Sequence, residues 1–314
     1  MKQNLLITGG LGYIGSFTCK SLLLKNKKKP FVVDNLSRGN IFAKKYSNSL
    51  ITNLSNKKVI KFISDKKIDT VLHLASLTCV RESVKKKKKY LSDYDTQLKF
   101  IKSLKNTSVK HFIFSSSLSI FEKKKYKKNL SVYSKNKLNI ERYLKKISSK
   151  NFKVVILRYP NVIGSDPLGK LGEKNNHISR IVPIFYRKIF DKKLITLYYN
   201  FKMKKFPKRN YIHVNDIAKI NLQILENLKD LKKSYVVFDI FNNKQYSNFE
   251  VMMMLSKILN KKPLYKLEKL DDRESMDQKS DIKNNFLKKL NYKLKYNSLR
   301  KILETNKKWF KKIY

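Results

Sequence analysis

Four of the eight glycines in the chain lie within seven residues, in a segment that reads Thr8-Gly9-Gly10-Leu11-Gly12-Tyr13-Ile14-Gly15-Ser16. An apolar run precedes this segment and a helical pattern follows it. Glycine permits a sharp turn from strand to helix, lets backbone N–H groups approach a pyrophosphate, and allows a helix to pack closely on a sheet. The glycine spacing satisfies both G-x-G-x-x-G and G-x-x-G-x-x-G. The segment therefore predicts a dinucleotide-binding turn that opens an α/β domain.

An acidic residue at the end of the second apolar run supports this prediction. In dinucleotide-binding domains, an acidic residue at this separation along the sequence from the glycines binds the ribose hydroxyls of the adenosine. Asp34 occupies that position in this chain. A carboxylate repels a 2′-phosphate, so Asp34 predicts NAD as the cofactor. Arg38, four residues later, weakens this preference without reversing it.

Strand-length apolar runs alternate with helical stretches through the first half of the chain, which is typical of βαβ units and a parallel sheet. The predicted strands are Asn4–Thr8, Phe31–Asp34, Leu50–Leu54, Thr70–Leu74, His111–Ser116, Val154–Tyr159 and Tyr235–Ile240. The predicted helices are Tyr13–Lys25, Asn56–Lys66 after an N-cap at Ser55, Leu91–Lys105, Val132–Ser148, Ile181–Phe190, Val214–Leu228, Phe249–Leu259 and Ser298–Ile313. A segment rich in glycine and proline, 160–176, separates the two halves.

The expected fold class is α/β, with a doubly wound parallel (Rossmann) sheet and a smaller C-terminal α/β substrate domain. We assign residues 1–164 to the NAD-binding domain, which the chain re-enters at about 209–240. Residues 165–208 and 241–314 are assigned to the substrate-binding domain.

Composition excludes several other classes of protein. The formal charge of +49 suggests a polyanion partner, but only nine of the 72 basic residues are arginine and the lysines are spread along the whole chain, which argues against nucleic acid. No stretch approaches the roughly 20 apolar residues that span a membrane, so we expect a cytoplasmic protein. Cys19 and Cys79 have no Cys or His neighbour at ligand spacing, so no metal is expected.

A second set of reactive side chains follows the fifth predicted strand. Three serines, Ser115 to Ser117, end that strand, and Tyr133 and Lys137 lie at the start of the next helix. The pattern Tyr-x-x-x-Lys occurs three times in this lysine-rich chain, starting at Tyr133, Tyr198 and Tyr265. Only the first opens a helix after a strand that ends in hydroxyls, at the sheet edge where α/β proteins place their ligands. Tyr133 and Lys137 are therefore the candidate catalytic pair.

With these residues the chain resembles the extended short-chain dehydrogenase/reductase (NAD-dependent epimerase/dehydratase) superfamily, and within it the UDP-glucose 4-epimerases most closely. The segments that carry the resemblance are the glycine-rich opening, Asp34–Gly39, His73–Ala75, Glu82–Val84, Phe114–Ser117, Leu157–Asn161 and Arg209–Asp216. They occur in the family's order across about residues 3–225. Beyond Val236 the match fades, and the region of Arg273 only loosely resembles the family's phosphate-binding motif.

The resemblance implies a mechanism of transient oxidation at C4 of a UDP-hexose. Tyr133 would act as the base, Lys137 would supply positive charge beside it, and Ser117 would hold the reacting oxygen and relay the proton. Residues implied to bind NAD are Gly9, Gly12, Tyr13, Ile14, Gly15, Asp34, Asn35, Asn53, Leu54, Leu74, Ala75, Ser115, Tyr133, Lys137 and Pro160. Residues implied to bind the UDP-sugar are Ser117, Asn161, Arg209 and Arg273. A homodimer is usual for this family.

The chain also departs from the family pattern at several positions. Asn53 replaces an acid near the adenine, Thr78 replaces a lysine near the phosphates, and Asp93 replaces an asparagine. The segment 122–131 is a shortened, lysine-rich loop. Alternatives left open are another nucleotide-sugar epimerase, a dehydratase, a 4-keto reductase, or a non-catalytic NAD-binding member. The sequence also leaves open whether the hexose carries a 2-hydroxy or a 2-acetamido group.

Overall fold

The computed structural model describes residues 4–121, 130–173, 180–270, 286–289 and 291–314. The chain divides into two compact units. The first comprises Met1–Ser117, Ser131–Arg158 and Ile217–Phe238, and the second comprises Leu118–Leu130, Tyr159–Asp216 and Asp239–Tyr314.

A seven-stranded sheet forms the centre of the first unit. With strands numbered along the whole chain, it contains β1 (Leu5–Thr8), β2 (Phe31–Asp34), β3 (Asn48–Ile51), β4 (Thr70–His73), β5 (His111–Ser117), β6 (Lys153–Tyr159) and β10 (Tyr235–Asp239). The spatial order is β10-β6-β5-β4-β1-β2-β3, and β1 pairs in parallel with both β2 and β4. This order reverses direction between β1 and β4, which is the switch point where doubly wound sheets bind ligands. The predicted fold class is confirmed.

Strands β1, β2, β4, β5 and β6 are largely buried, as expected for parallel strands that helices cover on both faces. The helices are α1 (Tyr13–Asn26), α2 (Lys57–Asp65), α3 (Val80–Lys85), α4 (Lys87–Ser103), α5 (Val132–Ile147) and α7 (Val214–Glu226). Core residues from strands and helices, including Leu6, Val71, Phe112, Ile140 and Ile156, are completely buried. Burying each such side chain contributes about 1.5–3 kcal/mol relative to exposure.

The second unit contains two smaller sheets. Their five strands are β7 (Asn161–Ile163), β8 (Ile195–Tyr199), β9 (Lys208–His213), β11 (Gln245–Ser247) and β12 (Tyr265–Lys269). One sheet has the order β11-β9-β7, and the other pairs β12 with β8. Its helices are α6 (Ile181–Phe190), α8 (Asn248–Leu259), α9 (Phe286–Lys289), α10 (Leu299–Glu304) and α11 (Asn306–Ile313). A separate apolar core packs α6, α8, α10 and α11 together, with Trp309 and Phe310 buried in it.

Several predicted boundaries were wrong. The third strand was predicted at 50–54 but lies at 48–51, so Asn53 and Leu54 follow it. The cap of α2 is Asn56 instead of Ser55, because the Asn56 side chain accepts a hydrogen bond from the N–H of Lys58 at 2.9 Å.

The C-terminal helix predicted at 298–313 is two helices that meet at Thr305. The Thr305 hydroxyl donates to the carbonyl of Ile302 at 2.6 Å and accepts the N–H of Ser165 at 3.0 Å. Asn306 accepts the hydroxyl of Ser165 at 2.8 Å. These polar contacts compete with continuous helical hydrogen bonding, and the helix is interrupted where they form.

Candidate active site

The glycine-rich turn between β1 and α1 is built so tightly that side chains are excluded. Gly9 has a φ of +68°, and a Cβ there would lie 2.7 Å from the backbone nitrogen of Ala75. A Cβ on Gly15 would lie 2.3 Å from the carbonyl oxygen of Gly9 and 2.6 Å from the Cα of Gly10. All of these obstacles are backbone atoms, which cannot rotate away. The turn therefore requires glycine at both positions.

The start of α1 has the properties of an anion site. Its N-cap, Gly12, makes no capping hydrogen bond through a side chain, and no acidic residue lies in the first turn. With neither a side-chain cap nor an acidic residue in this turn, the positive end of the helix dipole favours a pyrophosphate. Together with the glycine cradle, this arrangement fits a dinucleotide.

Asp34 lies at the end of β2 beside the same turn. Its carboxylate accepts the N–H of Leu11 at 3.0 Å and the N–H of Leu36 at 2.8 Å. Burial raises the pKa of Asp34, while these backbone donors favour its charged form. On the neighbouring loop, Asn35 donates its side-chain amide to Asn53 at 2.8 Å. Asp34, Asn35 and Asn53 are thus grouped at one end of the parallel sheet.

The end of β4 reaches the glycine turn directly. The segment Leu74–Ala75 follows β4, and the N–H of Leu74 donates to the carbonyl of Thr8 at 3.0 Å. Because the backbone of Ala75 contacts Gly9, the predicted NAD residues of β1 and β4 are adjacent at the switch point.

Tyr133 and Lys137 lie in the first turns of α5. This helix begins after Ser131, whose hydroxyl accepts the N–H of Ser134 at 3.1 Å, so the cap sets where the two residues stand. Both side chains are buried, with exposed fractions of 8% for Tyr133 and 3% for Lys137. The Lys137 amine lies 6.0 Å from the centre of the Tyr133 ring.

The amine of Lys137 is held at the end of β5. It donates to the carbonyl of Ser115 at 2.9 Å and lies 4.6 Å above the ring of Phe114. Burial lowers the pKa of Lys137 to about 8, while the negative charges of Asp93 and Glu141 oppose that shift. The ammonium form therefore predominates at neutral pH.

The three serines of β5 have different surroundings. Ser115 supplies the carbonyl that holds Lys137. Ser116 is buried and its hydroxyl donates to the carboxylate of Glu141. Ser117 is the last residue of β5 and is half-buried. The structure thus places Ser117, Tyr133 and Lys137 at the junction of β5 and α5.

Glu141 completes an ion pair that sequence reasoning missed. Its carboxylate accepts Nε of Arg158 at 3.0 Å and Nη2 at 2.7 Å, a bidentate pair. Glu141 lies one helical turn after Lys137, and this spacing is the signal that could have indicated it.

Sequence reasoning also missed a second polar network, which joins Asp93, Gln97, His73 and Thr8. The side-chain amide of Gln97 donates to Oδ2 of Asp93 at 2.7 Å, so its oxygen is the group that faces His73. His73 therefore donates from Nε2 to Gln97 at 3.3 Å and accepts the Thr8 hydroxyl at Nδ1, at 2.8 Å. Oδ2 of Asp93 also accepts the N–H of Leu77 at 3.2 Å. The network links α4 to the ends of β1 and β4.

His73 is completely buried among aromatic rings. Burial lowers its pKa to about 3, aided by the positive charge of Lys137. The ring is therefore neutral at physiological pH, which agrees with its acceptor role at Nδ1.

The predicted substrate residues Asn161 and Arg209 lie in the second unit. Asn161 begins β7 and donates its side-chain amide to the carbonyl of Asn210 at 3.3 Å. In the register of β7 and β9, Asn161 pairs with Tyr211, so Arg209 lies two positions earlier on the neighbouring strand. Pro160 immediately precedes β7 and is buried. Arg273 lies outside the described residues.

The described part of the chain contains neither a metal-binding cluster nor a membrane-spanning helix. Within it, no cluster of three or more His, Cys, Asp or Glu side chains could hold a metal ion. None of its helices has the length and apolar character needed to cross a membrane.

Comparison with known proteins supplies the family. The family model for the NAD dependent epimerase/dehydratase family matches residues 5–238. A UDP-glucose 4-epimerase from Cyamopsis tetragonoloba is 30% identical over 290 residues, which cover 83% of this chain and 82% of that protein.

Solved structures of other proteins can be superposed on this chain over nearly its whole length. A UDP-glucose-4-epimerase from Stenotrophomonas maltophila, with bound NAD and formylated UDP-arabinopyranose, has a TM-score of 0.87 at 20% identity, covering 99% of this chain and 98% of that one. A UDP-N-acetylglucosamine 4-epimerase from Methanobrevibacter ruminantium M1, in complex with UDP-N-acetylmuramic acid, has a TM-score of 0.81 at 26% identity, covering 99% of both chains. The predicted resemblance and the predicted cofactor, NAD, are confirmed. The chain belongs to the NAD dependent epimerase/dehydratase family.

Proposed function

We propose that this protein interconverts the two C4 epimers of a UDP-hexose, with UDP-glucose and UDP-galactose as the first pair to test. The observation that carries the proposal is the pairing of Tyr133 with the buried ammonium of Lys137 at the end of β5. The family match and the names of the relatives support the reaction class.

Tyr133 is the proton acceptor in this proposal. A tyrosine in water titrates near pH 10, so base catalysis near neutral pH requires positive charge beside the phenol. Lys137 provides that charge, because its ammonium is held by the Ser115 carbonyl close to the Tyr133 ring. Ser117 holds the 4-hydroxyl oxygen and relays its proton to Tyr133.

The cofactor site supplies the redox part of the reaction. A bound NAD would supply the hydride acceptor for oxidation at C4 of the sugar and the hydride donor for reduction on the opposite face. The protein contributes the glycine turn for the pyrophosphate and Asp34 for the adenosine ribose.

Two observations separate this proposal from its alternatives. A nucleotide-sugar dehydratase needs an acid and a base beside the catalytic hydroxyl, whereas Leu118 and Ser119 follow Ser117 and neither can serve. A non-catalytic NAD-binding protein has no need of a buried lysine beside a tyrosine, because burying an amine costs free energy.

The decisive experiment is a product assay with two substrates. Purified protein is incubated separately with UDP-galactose and UDP-N-acetylgalactosamine, and the nucleotide sugars are separated by chromatography. Conversion of either sugar to its C4 epimer supports the proposal and identifies the sugar class. Accumulation of a 4-keto product would favour the dehydratase, and no conversion with NAD bound would favour the non-catalytic member.

For the nucleotide end of the substrate, we propose that Asn161 and Arg209 bind the diphosphate region, together with Arg273. A guanidinium can hold two phosphate oxygens at once, while an ammonium offers a point charge. Arg209→Lys should therefore weaken UDP-sugar binding by about 1.5–3 kcal/mol and leave NAD retention unchanged. An unchanged Michaelis constant would exclude this contact. A homodimer and a cytoplasmic location stay predictions from the sequence.

A further inference from the structure

The loop after β2 carries two residues with opposite cofactor preferences. In Rossmann domains an acid at the end of this strand binds a free 2′-hydroxyl, while an arginine nearby accommodates a 2′-phosphate. This chain has both, Asp34 and Arg38, only four residues apart. The proposed function uses Asp34 and leaves Arg38 without a role.

The structure pairs Arg38 with a carboxylate 44 residues away in the sequence. Nη2 of Arg38 donates to Oε2 of Glu82, which lies on α3. The exposed fractions of the two side chains are 26% and 18%, so the pair is substantially screened from water. A pair of this kind is stronger than a fully exposed one.

Glu82 is held in place independently of Arg38. Oε1 accepts the amine of Lys89 at 2.9 Å, and Oε2 accepts the hydroxyl of Tyr90 at 3.0 Å. Tyr90 is itself buried, and its oxygen accepts the N–H of Cys79 at 3.0 Å. The carboxylate is therefore anchored to α4 and draws Arg38 towards it.

The charge of Glu82 persists through the physiological pH range. Burial alone would raise its pKa, but the hydrogen bonds from Lys89 and Arg38 outweigh burial and lower the pKa to about 2. Glu82 therefore carries its negative charge at neutral pH, where it can pair with Arg38.

We propose that Glu82 is a specificity-determining residue: it holds and neutralises Arg38, so that Asp34 alone decides which dinucleotide is accepted. A 2′-phosphate then meets the Asp34 carboxylate without a competing cation, and NADP is rejected. If Arg38 were released, its guanidinium would offset that repulsion by a charge-assisted hydrogen bond. This inference concerns cofactor choice and does not depend on which sugar is epimerised.

The test measures binding of NAD and NADP separately, by titration calorimetry on protein freed of nucleotide. Glu82→Gln removes the charge with little change of shape. We expect NADP to bind at least tenfold more tightly, about 1.4 kcal/mol, with NAD affinity changed by less than twofold. Adding Arg38→Gln to this variant should remove the gain, because the released guanidinium is its source.

Lys89→Gln is the matched control. It removes the other cation that Glu82 binds and leaves Arg38 paired, so the ratio of NADP to NAD affinity should stay at the wild-type value. A gain in NADP affinity in this control would overturn the proposal, as would a folded Glu82→Gln variant with an unchanged ratio. A gain that survives in the double variant would also overturn it.

Arg38→Gln alone keeps the proposal testable if Glu82→Gln does not fold. Because Arg38 is already held away from the nucleotide, its removal should leave weak NADP binding unchanged. A tenfold loss of NADP affinity in Arg38→Gln would show that Arg38 already contacts the phosphate, and equal wild-type affinity for NAD and NADP would also reject the idea.

Discussion

The glycine turn and the buried charges around Lys137 lie at the ends of strands that flank β4 in the same sheet, yet they depend on different physics. In the turn, backbone packs against backbone, and an added methyl group at Gly15 would meet the carbonyl of Gly9. Around Lys137, the buried ammonium donates to the Ser115 carbonyl, and the negative charges of Asp93 and Glu141 favour its charged form. Shape controls the first region and charge controls the second.

This contrast predicts which substitutions each region tolerates. Changes that remove charge and preserve shape should alter the stability of the Lys137 region or the pKa of Lys137. Changes that add volume without charge should damage the turn. The variants below test this separation.

Tyr133→Phe should have the largest effect. It keeps the ring and removes the hydroxyl that accepts the proton, so turnover should fall by about 10²–10⁴, the usual contribution of acid–base catalysis. NAD should remain bound, as measured by the nucleotide released from denatured protein.

Tyr198→Phe is the matched control for this variant, because Tyr198 starts another Tyr-x-x-x-Lys pattern, on β8. Its turnover should equal that of the wild type. Full activity in Tyr133→Phe would remove Tyr133 from the mechanism.

Glu141→Gln should chiefly reduce stability. It leaves Arg158 without its bidentate partner, and breaking such a buried pair costs about 3 kcal/mol. Chemical denaturation monitored by circular dichroism measures this loss. Glu304→Gln is the control, because it removes the exposed ion pair between Glu304 and Arg300. This change should lower the free energy of unfolding by less than about 0.5 kcal/mol. Equal losses in the two variants would contradict the distinction between buried and exposed pairs.

Gly15→Ala tests the turn with a single uncharged methyl group. The new Cβ would lie 2.3 Å from the oxygen of Gly9, so the backbone must shift, at a cost of about 1–3 kcal/mol. Thermal unfolding of NAD-free protein should show the loss. Gly12→Ala is the graded comparison, because its nearest obstacle lies at 3.1 Å, and a larger loss there than at Gly15 would contradict the packing argument.

The two regions also differ in how far the sequence predicts them. The glycine turn is local: strand, glycines, helix and Asp34 follow one another, and each requirement is visible in the residue types. The strands β1, β2, β4 and β6 were predicted within one or two residues for the same reason, since each contains a run of adjacent aliphatic residues.

The contacts that the sequence could not predict join residues that are distant along the chain. Strand β9 reads Lys-Arg-Asn-Tyr-Ile-His and exists because it pairs with β7 and β11, not because of its own composition. Gln97 is an ordinary polar residue until the fold places it between His73 and Asp93. The Arg38–Glu82 pair likewise depends on the tertiary structure.

Asp93→Asn should have the smallest effect and the most specific one. Both hydrogen bonds at this position go to Oδ2, so an amide oxygen can keep the contacts with Leu77 and Gln97 while the charge is removed. Stability should therefore change little. The remaining effect falls on Lys137, because the charge of Asp93 opposes the burial that lowers the pKa of Lys137 to about 8.

Without the Asp93 charge, the pKa of Lys137 should fall further, by up to about one unit, or about 1.4 kcal/mol. Catalysis needs the ammonium form, so turnover should decline at a lower pH than in the wild type and be little changed at acidic pH. Lys137 keeps its proton to a higher pH in the unfolded chain than in the folded protein. The free energy of unfolding should therefore rise with pH between the folded and the unfolded pKa of Lys137. In the variant, this rise should begin at a lower pH than in the wild type.

The pH profile of kcat measures the shift, and Asp95→Asn, an exposed charge removal on the same helix, should leave the profile unchanged. Asparagine is the residue that the family usually carries here, so this variant also asks whether the departure in this chain has a function. An alkaline limb that stays in place would mean that Glu141 alone sustains the Lys137 charge, and that the network through Gln97 serves only to position the ends of β1 and β4.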